Sequence, residues 1–310
     1  MSGDPGGHSN AWRRWAFAAI PAAGLLELAA HAVLARSVVP SRDWLAARDY
    51  VAAHAAAADL VAFAPRWADP IGRQLFGPEL ATVEREARPD ETRFARAFEV
   101  SRGGAHLPAF AGWRRADQRR FGGVTVTTWD NPAPAHVIDD LVAAFGPERV
   151  RASQLQGKGE VGCSFVHTST QSGGLGFGPA VPGDRFACPG GGFAAVSVVA
   201  DLDYVPRRCV FAPPSGGPLR LRFTAVRFGR TLHGHHALYV EAERGRQGAP
   251  VALTFSVAEG VIGAVVHRDG EGWKPFEFDT AGLEGKQADL TVDVASNGER
   301  RLYCFEADTR

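Results

Sequence analysis

The stretch that decides the fold runs from Leu219 to Ala225 and reads LRLRFTA, with an apolar side chain at every second position. Such alternation predicts a β-strand with one buried face. Short runs of similar character recur towards the end of the chain, at 208–211, 237–240, 251–257, 261–267, 273–278, 288–295 and 302–305. About eight short strands separated by Gly, Asp and Asn predict an antiparallel β-sandwich of the jelly-roll type over residues 151–310.

The chain has four cysteines, and their positions predict two disulfides. Cys209 opens the first predicted strand of the sandwich and Cys304 lies in the last. Because the first and last strands of a sandwich are commonly neighbours, we predict a Cys209–Cys304 bond, which leaves Cys163 to pair with Cys188. No two cysteines have the C-x-x-C spacing that is typical of zinc sites, so metal binding by cysteine is disfavoured.

The predicted Cys163–Cys188 bond closes a loop around the glycine-rich run GGLGFG at 173–178. A phosphate-binding loop should follow a strand and open directly into a helix. Here Pro179 and Pro182 follow instead, and they are poor starts for a helix. The run is therefore interpreted as a covalently closed surface loop.

The N-terminal segment predicts that most of the protein lies outside the cytoplasm. Residues 16–35 read AFAAIPAAGLLELAAHAVLA and are long enough to cross a bilayer. We expect a cytoplasmic tail over 1–15 and a single transmembrane anchor over 16–37; a cleaved signal peptide and a buried helix are the alternatives. Glu27 and His31 share one helix face, either to contact a partner membrane helix or as tolerated polar groups.

These features place most of the chain outside the bacterial cytoplasmic membrane, where disulfides form. A composition rich in Ala, Gly and Arg, with Lys only at positions 158, 274 and 286, fits a GC-rich bacterial genome. The 34 basic and 34 acidic residues balance, which argues against a dedicated nucleic-acid binder.

Residues 41–135 mix helical and strand patterns and predict a small α/β domain with three layers. The patterns comprise a helix over 43–54 with Ser41 as its N-cap, strands over 59–64, 94–100 and 124–129, and a solvated helix over 113–120. A short amphipathic helix at 136–147 is predicted within a linker over 136–150. The whole chain is thus predicted to be an α+β multidomain protein with an N-terminal transmembrane helix.

Two resemblances extend this interpretation. Residues 43–70, DWLAARDYVAAHAAAADLVAFAPRWADP, lead a region over 41–135 that resembles the extracytoplasmic part of bacterial dolichyl-phosphate-mannose-type membrane glycosyltransferases. That family keeps its catalytic acid in a multi-span membrane module, so the resemblance implies an accessory domain and transfers no catalytic residue. Residues 205–310, ending RLYCFEADTR, resemble galactose-binding-like jelly-roll domains that accompany carbohydrate enzymes.

The first candidate site follows the first predicted strand, where ligands bind in parallel α/β sheets. It comprises Arg66, Trp67, Asp69 and Arg73. The alternative is an Arg–Asp pair that merely pins a Pro-bounded loop. No dinucleotide or P-loop motif is present at this position.

The second set of candidates lies on the sandwich. Tyr239 and Trp273 offer rings that could stack on a sugar, although core packing is the expected role of Trp273. His233 and His235 share a strand face, so a metal site is conceivable, but surface histidines beside a turn are the simpler expectation. No cofactor is required, and a structural calcium on Asp279, Glu306 and Asp308 is the one conceivable exception.

The resulting hypothesis is a membrane-anchored extracytoplasmic protein that catalyses no reaction and binds glycan or an envelope partner through its jelly-roll domain. One alternative is an envelope carbohydrate-active enzyme, acting by glycosyl transfer or hydrolysis at the end of the first strand. The other is a structural subunit of a membrane complex, held through the anchor helix.

Overall fold

In this computed structural model, residues 9–157, 159–171 and 178–310 are described. The first element, α1 (Ser9–Ser37), contains Pro21. Its segment Phe17–Leu34 has a mean hydropathy of 1.7 and none of it is buried. A helix of this length and composition suits either a membrane anchor or a signal sequence. Glu27 and His31 are exposed on it, and their contact with a partner helix stays a prediction.

A small domain follows, built on one mixed sheet. Its helices are α2 (Ser41–His54), α3 (Asp69–Phe76) and α4 (Val83–Glu86). Its strands are β1 (Leu60–Ala64), β2 (Arg96–Arg102), β3 (Arg114–Phe121) and β4 (Val124–Asp130). The order is β1-β2-β4-β3, in which only the β1–β2 pair is parallel. The predicted strands at 59–64, 94–100 and 124–129 are thus confirmed within two residues at each end.

In the described residues the helices of this domain cover one face of the sheet, so the predicted three-layer arrangement is not shown. Trp44 and Val51 of α2 pack with Phe76 of α3 against Phe63 and Phe98 of the sheet. Within the described part of the chain, a 3-10 turn at Pro108–Phe110 and neighbouring aromatic side chains cover the opposite face. The predicted N-cap is also wrong: the helix begins at Ser41, and the capping position is Pro40, which offers no side-chain acceptor.

The predicted helix over 113–120 is wrong, because this segment forms β3. β3 pairs with β4 and lies at the edge of the sheet. Most of its side chains are exposed. An edge strand whose side chains are mostly exposed carries no alternating apolar signal, and its polar sequence therefore suggested a solvated helix.

The remainder of the chain is a two-sheet β-sandwich, as predicted. In sequence order its strands are β5 (Asp139–Asp140), β6 (Val150–Gln156), β7 (Gly159–Gly162), β8 (Ser164–His167), β9 (Asp184–Ala187), β10 (Phe193–Ala200), β11 (Pro206–Phe211), β12 (Leu219–Arg227), β13 (Thr231–Leu238), β14 (Val251–Val257), β15 (Gly260–His267), β16 (Lys274–Asp279), β17 (Gln287–Ser296) and β18 (Tyr303–Thr309). A short helix, α5 (Val240–Gly245), follows β13.

One sheet has the order β16-β13-β18-β11-β10-β9-β8, with β5 added beside β18, and the other has the order β15-β14-β17-β12-β6-β7. The pairings in both sheets are antiparallel, and their inner faces share one core. The stretch Leu219–Ala225 lies in β12, where Leu219, Leu221 and Phe223 are fully buried. The alternating pattern therefore identified the buried face correctly from Leu219 to Phe223. Ala225 is exposed and Val226 is buried instead, because the pairing register shifts after Phe223.

The helix predicted at 136–147 is also wrong. Asp139 and Asp140 form β5 against β18, and a turn follows. The Asp140 carboxylate accepts hydrogen bonds from the backbone N–H groups of Val142 and Ala143. Backbone bonds to the last strand and this aspartate-capped turn hold the segment in place of helical bonds.

Both predicted disulfides are present. Cys163 bonds Cys188 across 25 residues, and Cys209 bonds Cys304 across 95 residues. Cys209 and Cys304 lie on the neighbouring strands β11 and β18, although β11 is an internal strand of its sheet and not the first strand of the sandwich. The run at 173–177 lies outside the described residues. With the exposed apolar helix, the two disulfides indicate an extracytoplasmic location.

Candidate functional site

A concave cleft of about 330 Å³ opens where the small domain meets the sandwich. One wall follows β1, after the Ala64–Pro65 bond, and carries the four residues predicted from the sequence: Arg66, Trp67, Asp69 and Arg73. The other wall is the turn at 203–207 of the sandwich, and the segment 86–91 contributes Glu86, Arg88 and Glu91. We call this feature the interdomain cleft.

A pair of acidic side chains meets one arginine inside the cleft. The Nε atom of Arg73 lies 2.8 Å from Oδ2 of Asp69 and 3.3 Å from Oε2 of Glu86. Burial, together with the negative charge of Asp69, raises the pKa of Glu86 to about 8. Glu86 is therefore largely protonated at neutral pH, and its other oxygen, Oε1, is buried without a hydrogen-bond partner among the described residues. The cleft thus holds a neutral carboxylic acid beside the carboxyl group of Asp69.

Two aromatic side chains stand exposed at the cleft, one on each wall. Trp67 is 59% exposed and Tyr204 is 60% exposed. The guanidinium of Arg102 lies 5.3 Å from the ring centre of Trp67, and that of Arg244 lies 4.4 Å from the ring centre of Tyr204. These cation–π contacts favour defined ring positions while leaving ring surface open to solvent.

Tyr204 is presented by a constrained turn. Its φ of 61° lies in the left-handed region, which costs free energy for a residue with a large side chain. The turn is held by Oδ1 of Asp201, which accepts hydrogen bonds from the backbone N–H groups of Asp203 and Val205. Strain of this kind concentrates at binding sites, where the surrounding structure holds a side chain in a fixed position.

The arginines of the cleft differ in how they are neutralised. Arg88 is paired with Glu91 at 3.0 Å. Arg207 is paired with Asp201 at 3.0 Å and donates to the carbonyl oxygens of Arg88 and Pro89. Within the described ranges, the guanidinium of Arg66 has neither an ion pair nor a hydrogen bond. Arg66 is therefore the open cation of the cleft.

The candidates on the sandwich are placed elsewhere. The ring of Trp273 stacks on that of His235, with centroids 5.4 Å apart and an interplanar angle of 5°, and its indole N–H donates to the Pro89 carbonyl at 2.9 Å. Tyr239 is half-buried against the cluster around the Cys209–Cys304 bond. The structure therefore does not assemble Tyr239 and Trp273 into an open platform.

The expectation of surface histidines is wrong. His235 is buried and His236 is fully buried, while His233 is half-buried. The reason is that β13 is an internal strand between β16 and β18, and the segment 87–93 covers it. Sequence periodicity gives no sign that residues 87–93 pack over β13.

The three acidic residues considered for calcium do not converge. Glu306 and Asp308 both contact the guanidinium of Arg93, at 3.2 and 2.5 Å. Asp279 is exposed and accepts a hydrogen bond from the backbone N–H of Ala281. An arginine therefore neutralises the first two carboxylates.

Sequence reasoning found the β1 wall of the cleft and missed the rest, namely Glu86, Arg88, Glu91, Asp203, Tyr204 and Arg207. Glu86, Arg88 and Glu91 lie 20 to 25 positions after Arg66 within the small domain, whereas Asp203, Tyr204 and Arg207 reach the cleft only through the contact between the domains. The one local signal was the Asp201-Leu-Asp-Tyr204 turn, whose short acidic side chains are typical of a constrained loop.

No family model matches this chain, and no curated protein matches it. Three solved structures are similar over part of it. They are the CBM51-2 and INT domains of Clostridium perfringens ZmpB with GlcNAc (9% identity, 51% of this chain and 31% of that one, TM-score 0.28), the K1 cleaved adhesin domain of Porphyromonas gingivalis Lys-gingipain (12%, 38% and 83%, 0.26), and the C-terminal CBM6 of the Zobellia galactanivorans laminarinase LamC (8%, 52% and 99%, 0.20).

This chain spans about a third of the length of the first of these structures. Such low identities and TM-scores assign no function. The β-sandwich is therefore assigned from the strand order described above. The resemblance of residues 41–135 to glycosyltransferases finds no support in these comparisons.

Proposed function

We propose that the protein binds an acidic saccharide outside the cytoplasm and that the interdomain cleft is the binding site. The observation that carries the proposal is the pairing of two exposed aromatic rings, Trp67 and Tyr204, with the unpaired guanidinium of Arg66 around one concavity. This differs from the initial hypothesis, which placed the site on the jelly-roll domain alone.

The chemistry of each group supports a sugar ligand. Aromatic faces pack against the apolar faces of sugar rings, while a few polar groups fix the orientation of the ligand. A guanidinium matches the geometry of a carboxylate or phosphate with two parallel hydrogen bonds. A ligand that offers both an apolar ring face and an anionic group is a saccharide with a uronate, a carboxylated substituent or a phosphate.

The protonation state of Glu86 favours an anionic ligand at neutral pH. With Glu86 neutral, Asp69 alone faces Arg73, and Arg66 keeps an unbalanced positive charge. Above pH 8 Glu86 ionises and adds a negative charge to the cleft. We therefore expect the affinity for an acidic saccharide to fall as the pH rises through this value.

A screen of the full-length protein in detergent, under oxidising conditions, against matched acidic and neutral oligosaccharides tests the proposal. We expect binding to the acidic set, and at least a tenfold loss of affinity in Trp67→Ala, Tyr204→Ala and Arg66→Ala, which corresponds to about 1.4 kcal/mol each. Val261→Ala and Arg230→Ala, at exposed positions of the sandwich, are controls that should bind normally. Equal binding of the neutral and acidic sets, or unchanged binding by all three cleft variants, would contradict the proposal.

A further inference from the structure

Three side chains that are separate from the interdomain cleft converge where the segment 87–93 crosses the sandwich. Asp90 comes from that segment, while His233 and His235 come from β13. One ligand atom from each of the three side chains lies within 4.8 Å of the other two. His233 and His235 are two residues apart on one strand, so both project from the same face of the sheet.

His235 is held in the geometry that metal-binding histidines commonly adopt. Its Nδ1 lies 2.7 Å from Oε1 of Glu306, which is itself 1% exposed. The stacked ring of Trp273 fixes the plane of the imidazole. In the part of the chain that is described, Nε2 of His235 has no hydrogen-bond partner. A carboxylate that binds one ring nitrogen, leaving the other free, is the usual outer contact of a metal ligand.

His233 supplies an unexplained buried nitrogen. Its Nδ1 is buried and has no hydrogen-bond partner among the described residues. The nearest carboxylate oxygen, Oδ2 of Asp90, is 3.9 Å away, which is too far for a hydrogen bond. Two atoms that each lie about 2.1 Å from a tetrahedral zinc ion are roughly 3.4 Å apart, so a shift of about half an ångström would place both on one ion.

The other partners of Asp90 show what would have to change on metal binding. Asp90 also accepts hydrogen bonds from Thr92 and lies 3.3 Å from the Arg310 guanidinium. Arg310 would have to release Oδ2 of Asp90, but it would keep its bond to Asp308 at 2.6 Å.

We propose that Asp90, His233 and His235 form a binding site for a divalent first-row transition metal of the zinc type. Two imidazole nitrogens and one carboxylate oxygen are ligands that suit this class of ion and are unlike the all-oxygen set that calcium prefers. Because Asp90 belongs to the small domain and both histidines belong to the sandwich, the ion would tie the two domains together. Its role would be to stabilise the contact that shapes the cleft.

The test is zinc binding by the full-length protein, purified in detergent without a polyhistidine tag and stripped with a chelator. Calorimetry should show one equivalent of Zn²⁺ bound, and Co²⁺ should give visible d–d absorption with the same stoichiometry. His233→Ala and Asp90→Asn should each weaken binding at least tenfold. His167→Ala removes an exposed histidine that is paired with Asp184, and it should bind as the wild type does.

A readout of stability separates a metal site from a folding defect. Zinc should raise the midpoint of thermal unfolding of the wild type and of His167→Ala, and should leave that of His233→Ala and Asp90→Asn unchanged. If His233→Ala proves too unstable to purify, Asp90→Asn decides the matter. Wild-type protein that binds no zinc, or both variants binding it with wild-type affinity, would overturn the proposal.

Discussion

Replacing Arg93 with methionine should weaken the contact between the two domains. Its guanidinium lies 2.6 Å from Oδ2 of Asp140, 3.2 Å from Oε2 of Glu306 and 2.5 Å from Oδ2 of Asp308. The side chains of Glu306 and Asp308 are 1% and 0% exposed. Burial by itself would lower the pKa of Arg93. The three carboxylates raise this pKa by more than burial lowers it, so Arg93 stays charged.

The magnitude follows from the acids that would be left behind. Removing one partner of a buried ion pair typically costs about 3–5 kcal/mol, because an uncompensated charge stays in the interior. Asp308 would keep Arg310 at 2.6 Å and Glu306 would keep His235 at 2.7 Å. Those remaining partners hold the expected loss to about 3 kcal/mol, the lower end of this range. Methionine retains an apolar stem like that of arginine, so the loss of unfolding free energy measures the contribution of the guanidinium charge.

The assay is urea unfolding followed by tryptophan fluorescence, with limited proteolysis of the segment 87–93 as a second readout. The matched control is Arg114→Met, which removes one ion pair with Asp130 at 2.6 Å from a side chain that is 77% exposed. That change should cost less than about 1 kcal/mol. If Arg93→Met and Arg114→Met shift the midpoint equally, or if proteolysis of the segment does not accelerate, the buried cluster does not hold the domains together.

Two further predictions concern pH and the disulfides. Because the pKa of Glu86 rises from its ordinary 4.5 to about 8 on folding, the folded state binds an extra proton between these values, so the free energy of unfolding should fall with rising pH by at most about 1.4 kcal/mol per unit. Glu86→Gln should remove that slope, and an identical slope in urea titrations of both proteins would refute the assignment. Replacing Cys209 and Cys304 with alanine should cost about 2–5 kcal/mol. That cost should exceed the cost for Cys163 and Cys188 by about 1 kcal/mol, because the closed segments span 95 and 25 residues; equal midpoints in non-reducing urea would contradict this order.

Local pattern predicted most of the sandwich and the disulfide pairing. Strands such as β12 and β14 bury alternate side chains in the core, so apolar residues recur at every second position of their sequence. The strands before β11 were missed because their burial patterns are irregular or exposed, as in β7 and β8. The apolar spacing at 136–147 predicts a helix, whereas backbone bonds in this segment go to β18.

The sequence alone also determined the apolar N-terminal helix and located one wall of the cleft at the end of β1. The second wall, the partners of each arginine and the burial of β13 depended on tertiary structure. Tyr204 is 137 positions from Trp67, and no local propensity relates them; the two rings reach one cleft only because the segment 87–93 docks on the sandwich. The neutral state of Glu86 and the meeting of Asp90 with His233 arise in the same way, because desolvation and charge proximity exist only once distant parts of the chain are packed together.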